Sequence, residues 1–141
     1  MVKKIVFGLF LSCASIIYAD DKDLNYTEAF EKSKKENKPL VVLISAKWCP
    51  SCVTMKSDTI EPMKKDGSFK NVVVTVVDVD VDKALVEELY TINDKTKKQI
   101  KSIPQIVIFS SPKDEPKQFG LIGLQKKSRV LELLRKICGN D

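Results

Sequence analysis

The chain has 141 residues, 43% hydrophobic and 30% charged. That is enough for one domain around one core, and too apolar for a disordered chain. Histidine is absent, which excludes His-activated nucleophiles, His metal ligands and a His pH switch. The net charge is +5, and with Lys3 and Lys4 set aside 22 basic residues face 19 acidic ones, or +3. The lysines at Lys32, Lys34 and Lys35 and at Lys95, Lys97 and Lys98 are interrupted by acidic and polar residues. Such runs read as solvated surface, and no nucleic-acid partner is expected.

Lys3 and Lys4 precede an apolar stretch from Ile5 to Ile17, and Tyr18-Ala19 leads into Asp20-Asp21. This is the layout of a secretory signal over residues 1–19, cut after Ala19, with a domain over residues 20–141. The stretch is short for a membrane span of about 20 residues. Ser12-Cys13 offers a second reading, a lipidated cysteine, and an uncleaved anchor is a third. All three place the domain in the periplasm or outside the cell, where disulfides persist.

Tyr26, Ala29 and Phe30 are at helical spacing within residues 25–36, and Lys38-Pro39 ends that helix. Residues 40–45 are a continuous apolar run, expected to be a central strand buried on both faces. Pro50 opens a helix to about Asp58, since proline fits the first turn, and Glu61-Pro62 breaks it. Residues 71–78, rich in Val and Thr, predict a second strand. Residues 82–92 predict a helix with Leu85, Val86 and Leu89 on one face, and residues 93–101 a further short helical turn. Residues 105–110 and 117–121 predict a hairpin around Ser111–Asp114. Residues 126–137 predict a helix with Val130, Leu133, Leu134 and Ile137 inward, closed by Gly139. The first two strands, joined by a helix, should be parallel and the last two antiparallel. The fold class is α/β, one mixed four-stranded sheet flanked by helices on both faces.

The chemistry is concentrated in Trp48-Cys49-Pro50-Ser51-Cys52, at the end of the apolar strand. Cysteines two residues apart, delivered to a helix start, form a dithiol that can attack a disulfide and then release it. Cys49, at the helix N-terminus, is expected to be the exposed nucleophile, because backbone N–H groups there favour a thiolate. Cys52, one turn in, is expected to be the buried resolving thiol. Trp48 would be a rigid wall beside the pair. A zinc site usually needs four ligands, and covalent haem attachment needs a histidine where Val53 stands. Neither metal nor cofactor is expected. Cys138 reads as a small buried residue near the end of the last helix.

These residues resemble the thioredoxin superfamily. The resemblance rests on Ala46–Cys52 after a buried strand, Asp78-Val79-Asp80 at the end of the next, and Ser102-Ile103-Pro104 before the third. The Lys38-Pro39 entry and Lys56–Ile60 look most like secreted members, such as the C-terminal domain of the inner-membrane thiol transporter. The resemblance implies a thioredoxin-like fold and a monomeric thiol–disulfide oxidoreductase with Cys49 and Cys52 catalytic. It also implies a cis-proline at Pro104, with Trp48, Pro50, Ser51, Ile103 and Pro104 meeting the substrate. The partners implied are protein disulfides or dithiols and a thiol protein that donates or accepts electrons.

Two departures stand out. Thioredoxins usually bury an aspartate six residues before the first cysteine, where this chain has Leu43, and carry a lysine in the next strand, near Val76 here. Pro-Ser between the cysteines lacks the histidine that strong oxidases often place there, and Ile103 matches reductase-like members. These features lean toward a reductant. The non-redox alternative is a peptide-binding or chaperone module in which Cys49–Cys52 is a structural staple.

Overall fold

A computed structural model describes residues 23–93, 98–111 and 117–139. The signal-like segment with Cys13, the turn residues 112–116 and the lysines Lys95 and Lys97 lie outside the described residues.

Helix α1 spans Tyr26–Glu36 and opens with a reciprocal cap: Glu28 N–H donates to Asn25 Oδ1 at 2.9 Å and Asn25 N–H to Glu28 Oε2 at 3.1 Å. Asn37 ends it in the left-handed region at φ 53°, and Pro39 then feeds strand β1, Leu40–Ser45. The inward stripe of α1 is Ala29 and Ser33, not Ala29 with Phe30. Phe30 is 41% exposed, stacks on Tyr26 and lies under the Lys34 ammonium.

Helix α2, Pro50–Met55, does not stop near Asp58. It continues through a π-helical segment, Lys56–Ile60, into α3, Glu61–Lys65. The reason is Pro62. Within an α-helix its ring would collide with the carbonyl four residues back. One wider turn, in which Glu61 N–H donates to Lys56 O, re-phases the backbone so that Pro62 falls in the first turn of α3.

Strand β2 is Val73–Asp78 and helix α4 is Lys83–Leu89. Where a helical turn was expected, Ile92–Asn93 (β3) pairs antiparallel with Lys98–Gln99 (β4). Strands β5, Gln105–Phe109, and β6, Gln118–Ile122, form the hairpin, and α5 covers Lys127–Cys138.

The four main strands lie in the order β2-β1-β5-β6, with β1–β2 parallel and β1–β5 and β5–β6 antiparallel. Every residue of central β1 is buried. Val41 and Leu43 join Met55, Ile60 and Met63 with Val130 and Leu134 of α5. Leu40, Val42 and Ile44 point the other way and join Ala29 with Val86 and Leu89 of α4. Helices therefore cover both faces, as the sequence predicted. Gln105, fully buried, accepts from Thr91 N–H at 3.1 Å and donates to Ile100 O at 3.3 Å. It thereby ties both ends of the β3–β4 excursion to the start of β5. Gly120 keeps this corner closed, since a Cβ there would lie 2.3 Å from Thr91 Oγ1.

Candidate active site

Strand β1 ends at Ser45, and Ala46–Trp48 turn the chain into α2. Cys49 is the N-cap of that helix: its sulfur accepts from Cys52 N–H at 3.2 Å. Pro50 follows in the first helical turn. The helix start thus aims a donor at Cys49 and favours negative charge on it. Cys49 and Cys52 are joined by a disulfide with Cα atoms 5.2 Å apart. Ser51 Oγ lies 3.4 Å from Cys49 Sγ, and because that sulfur carries no proton in the disulfide, Ser51 is the donor.

Neither sulfur-bearing residue is open to solvent, with Cys49 5% and Cys52 1% exposed. The expectation of an exposed Cys49 is corrected for this disulfide state. Ala46 packs with the pair, and Val79 and Ile103 close over it. The order of the two holds, since Cys49 is the more accessible.

Three chain segments converge here. The Ile103–Pro104 peptide is cis, Pro104 is buried, and its carbonyl accepts from Gly123 N–H at 2.8 Å. Val79, just past β2, is fixed by its N–H donating to Ser45 O at 3.0 Å. Trp48 is 66% exposed, and its Nε1–H donates to Asp80 Oδ2 at 2.7 Å. It is a tethered indole standing in solvent beside the sulfurs. Val81, at 74% exposure, follows Asp80 in the same turn.

The sequence-predicted residues Cys49, Cys52, Pro50, Ser51 and Trp48 therefore share one strand–helix junction, and Ile103 reaches the same sulfurs from across the sheet. Sequence reasoning did not assign Val79 or Asp80 to the site. The signal available was the Asp78-Val79-Asp80 ending of β2, where Asp80 N–H donates to Asp78 Oδ1 at 2.9 Å and the chain turns beside the tryptophan. Leu43 and Val76 are register partners on β1 and β2. The places of the usual aspartate and lysine are thus neighbours here, filled by hydrocarbon, with Leu43 fully buried. Cys138 is a free, exposed cysteine rather than the buried one expected, at the last residue of α5, beyond the buried Val130 and Leu134. Partial burial still pushes its thiol pKa up. No cluster of potential metal ligands occurs among the described residues.

A thioredoxin-like family model matches residues 21–111, well over half of the chain. Solved structures agree in fold. A thioredoxin from Thermus thermophilus superposes with a TM-score of 0.63 at 19% identity, covering 80% of this chain and 83% of its own. Chloroplastic thioredoxin z gives 0.61 at 22% identity, over 83% of this chain and 94% of its own. The germline-specific thioredoxin Deadhead of Drosophila melanogaster gives 0.56 at 22% identity, over 79% and 90%. No curated protein sequence matches the chain. A thioredoxin-like fold carrying a Cys49–Cys52 pair at this spacing supports thiol–disulfide exchange in general. With its four-stranded mixed sheet, its cysteines at the head of α2 and the family match over residues 21–111, the chain belongs to the thioredoxin-like family.

Proposed function

We propose that this protein is a thiol–disulfide oxidoreductase that reduces disulfides in partner proteins outside the cytoplasm. One observation carries the reading: Cys49 Sγ is capped by the Cys52 N–H at 3.2 Å, at the mouth of the Trp48–Asp80 and Ile103–Pro104 walls. In the reduced protein the Cys49 thiolate attacks one sulfur of a substrate disulfide, and the other substrate sulfur leaves as a thiolate. Cys52 then attacks Cys49 Sγ, the Cys49–Cys52 bond forms, and the second substrate sulfur departs. A thiol protein regenerates the dithiol. The absence of histidine between the cysteines and Ile103 before the cis-proline support the reducing direction. The basic, apolar, small-residue layout of residues 1–19 supports export.

A second reading, a peptide-binding module with a structural staple, is favoured by the low exposure of both cysteines, 5% and 1%. The deciding experiment is redox equilibration of the full chain, carrying Cys138→Ser, against glutathione and dithiothreitol. A midpoint near about −230 mV or lower is expected, and one near about −120 mV would reverse the direction. No equilibration under native conditions would favour the staple. In the same preparation Cys49→Ser abolishes exchange and Cys52→Ser accumulates mixed disulfides with substrate. A protein exported and recovered from outside the cytoplasm should begin at Asp20; recovery from the cytoplasm with Met1 intact would refute the address.

A further inference from the structure

Ser45 is 1% exposed, and its Oγ is the buried side-chain oxygen that no hydrogen bond reaches among the described residues. Leaving a buried hydroxyl unpaired is costly, so such a group is expected to have a use in another state of the protein.

Its location indicates which. Side chains alternate along a strand, so Ser45 shares a face of β1 with Val41 and Leu43. That face packs against Met55 of α2. Cys52 lies three residues before Met55, one helical turn, and both are buried on the sheet side of α2. Strand β1 arrives at the site and α2 leaves from it, so the helix runs back along the strand. Met55 then lies over the Leu43 level and Cys52, one turn nearer the junction, over the Ser45 level. Asp78 is the register partner of Ser45 on β2, but its Oδ1 accepts from Asp80 N–H at 2.9 Å and not from Ser45. The Ser45 proton is uncommitted.

Cys52 needs such a donor. Its own N–H is directed at Cys49, and its neighbours Ala46, Val79 and Ile103 are apolar. Charge on a sulfur in these surroundings is strongly disfavoured. We infer that the Ser45 hydroxyl is the hydrogen-bond donor for the Cys52 sulfur whenever the disulfide is open. The inference rests on the exchange activity proposed above. When a reducing thiolate attacks Cys49 Sγ, the bond to Cys52 breaks and its electron pair stays on Cys52, where the Ser45 O–H donates to it without surrendering its proton. In the reverse sense the Cys52 thiolate, so held, attacks Cys49 Sγ of a mixed disulfide. The substrate thiolate leaves and takes up the proton that Cys52 had released to solvent.

The test uses the full chain with Cys138→Ser, reduced and mixed with an aromatic disulfide, dithiobis(nitrobenzoate), in a stopped-flow instrument. The first thionitrobenzoate released reports attack by Cys49 and the second reports resolution by Cys52. Ser45→Ala should slow the second release by about three- to tenfold. Losing a charge-assisted hydrogen bond reduces the thiolate population, and greater nucleophilicity recovers about half of that on a logarithmic scale. The first release should keep its rate, and the melting temperature should not fall, since an unpaired hydroxyl has been removed. The isosteric pair Ser45→Thr and Ser45→Val provides the second comparison: threonine keeps the fast second release and valine loses it. A second release as fast in the alanine and valine variants as in the parent overturns the inference, as does equal slowing of both releases. A parent protein with no second release would instead overturn the exchange reading itself.

Discussion

Leu43 and Val76 show how much a single pair of residues decides. Both lie on the α2 side of the sheet, side by side in register, in a cluster with Met55 and Ile106. Hydrocarbon there stabilises the fold by burial and gives no proton acceptor for the site. Leu43→Ala should therefore cost about 2–5 kcal/mol in urea unfolding while leaving the exchange rate of the folded protein unchanged. A large loss of rate at a temperature where the variant is fully folded would contradict this. The spacing of Cys49, Cys52 and Pro104 was legible because it is local or carried by a motif. The Trp48–Asp80 bond was not, because it joins residues 32 positions apart and depends on how β2 ends beside β1. Phe30, at helical spacing with Ala29, nevertheless faces solvent. One residue is about 100° of helix, and with small Ala29 and Ser33 against the sheet the ring turns outward to Tyr26 and Lys34.

Among the elements, the helix after the cysteines departs furthest from its sequence pattern. Proline was read as a terminator at Pro62, and the rule fails because one π turn moves the ring into a new first turn. A preference within one turn cannot reveal such a re-phasing, which accommodates Pro62 while Ile60 and Met63 both stay in the core. Residues 93–101 were read as helical because lysines favour helix, yet pairing between β3 and β4 anchored by Gln105 prevails over propensity. The far end of the extended helix is fastened to α5 through Asp66, which accepts from Lys127 and from Ser68 N–H. These donors lower the Asp66 pKa from 3.8 to about 2. A depressed carboxyl stabilises the fold above its unfolded pKa, and that contribution disappears as pH falls through the folded value. Asp66→Asn should lower the melting temperature near neutral pH by a small amount, because the pair is exposed. The gap from the parent should shrink as pH falls from 3.8 to about 2. A gap independent of pH across that window would mean that the charge does not matter.

For the molecule as a whole, the fold class, the two covered faces and the parallel-then-antiparallel strand order could be read from the chain. They depend on summed patterns: the fully apolar β1, the alternating β2 and the amphipathic α5. The closeness of the two sulfurs to solvent could not, since exposure at the head of α2 is set by Val79 and Ile103 arriving from elsewhere. One consequence follows from the tethered indole. The chain contains a single tryptophan, and it adjoins Cys49 with its ring held by Asp80. A disulfide accepts an electron from an excited indole and darkens it, whereas a dithiol does so far less. The protein thus carries a built-in optical gauge: its ultraviolet emission should brighten when the sulfurs are reduced and dim when they rejoin, so that turnover can be followed in real time without any label.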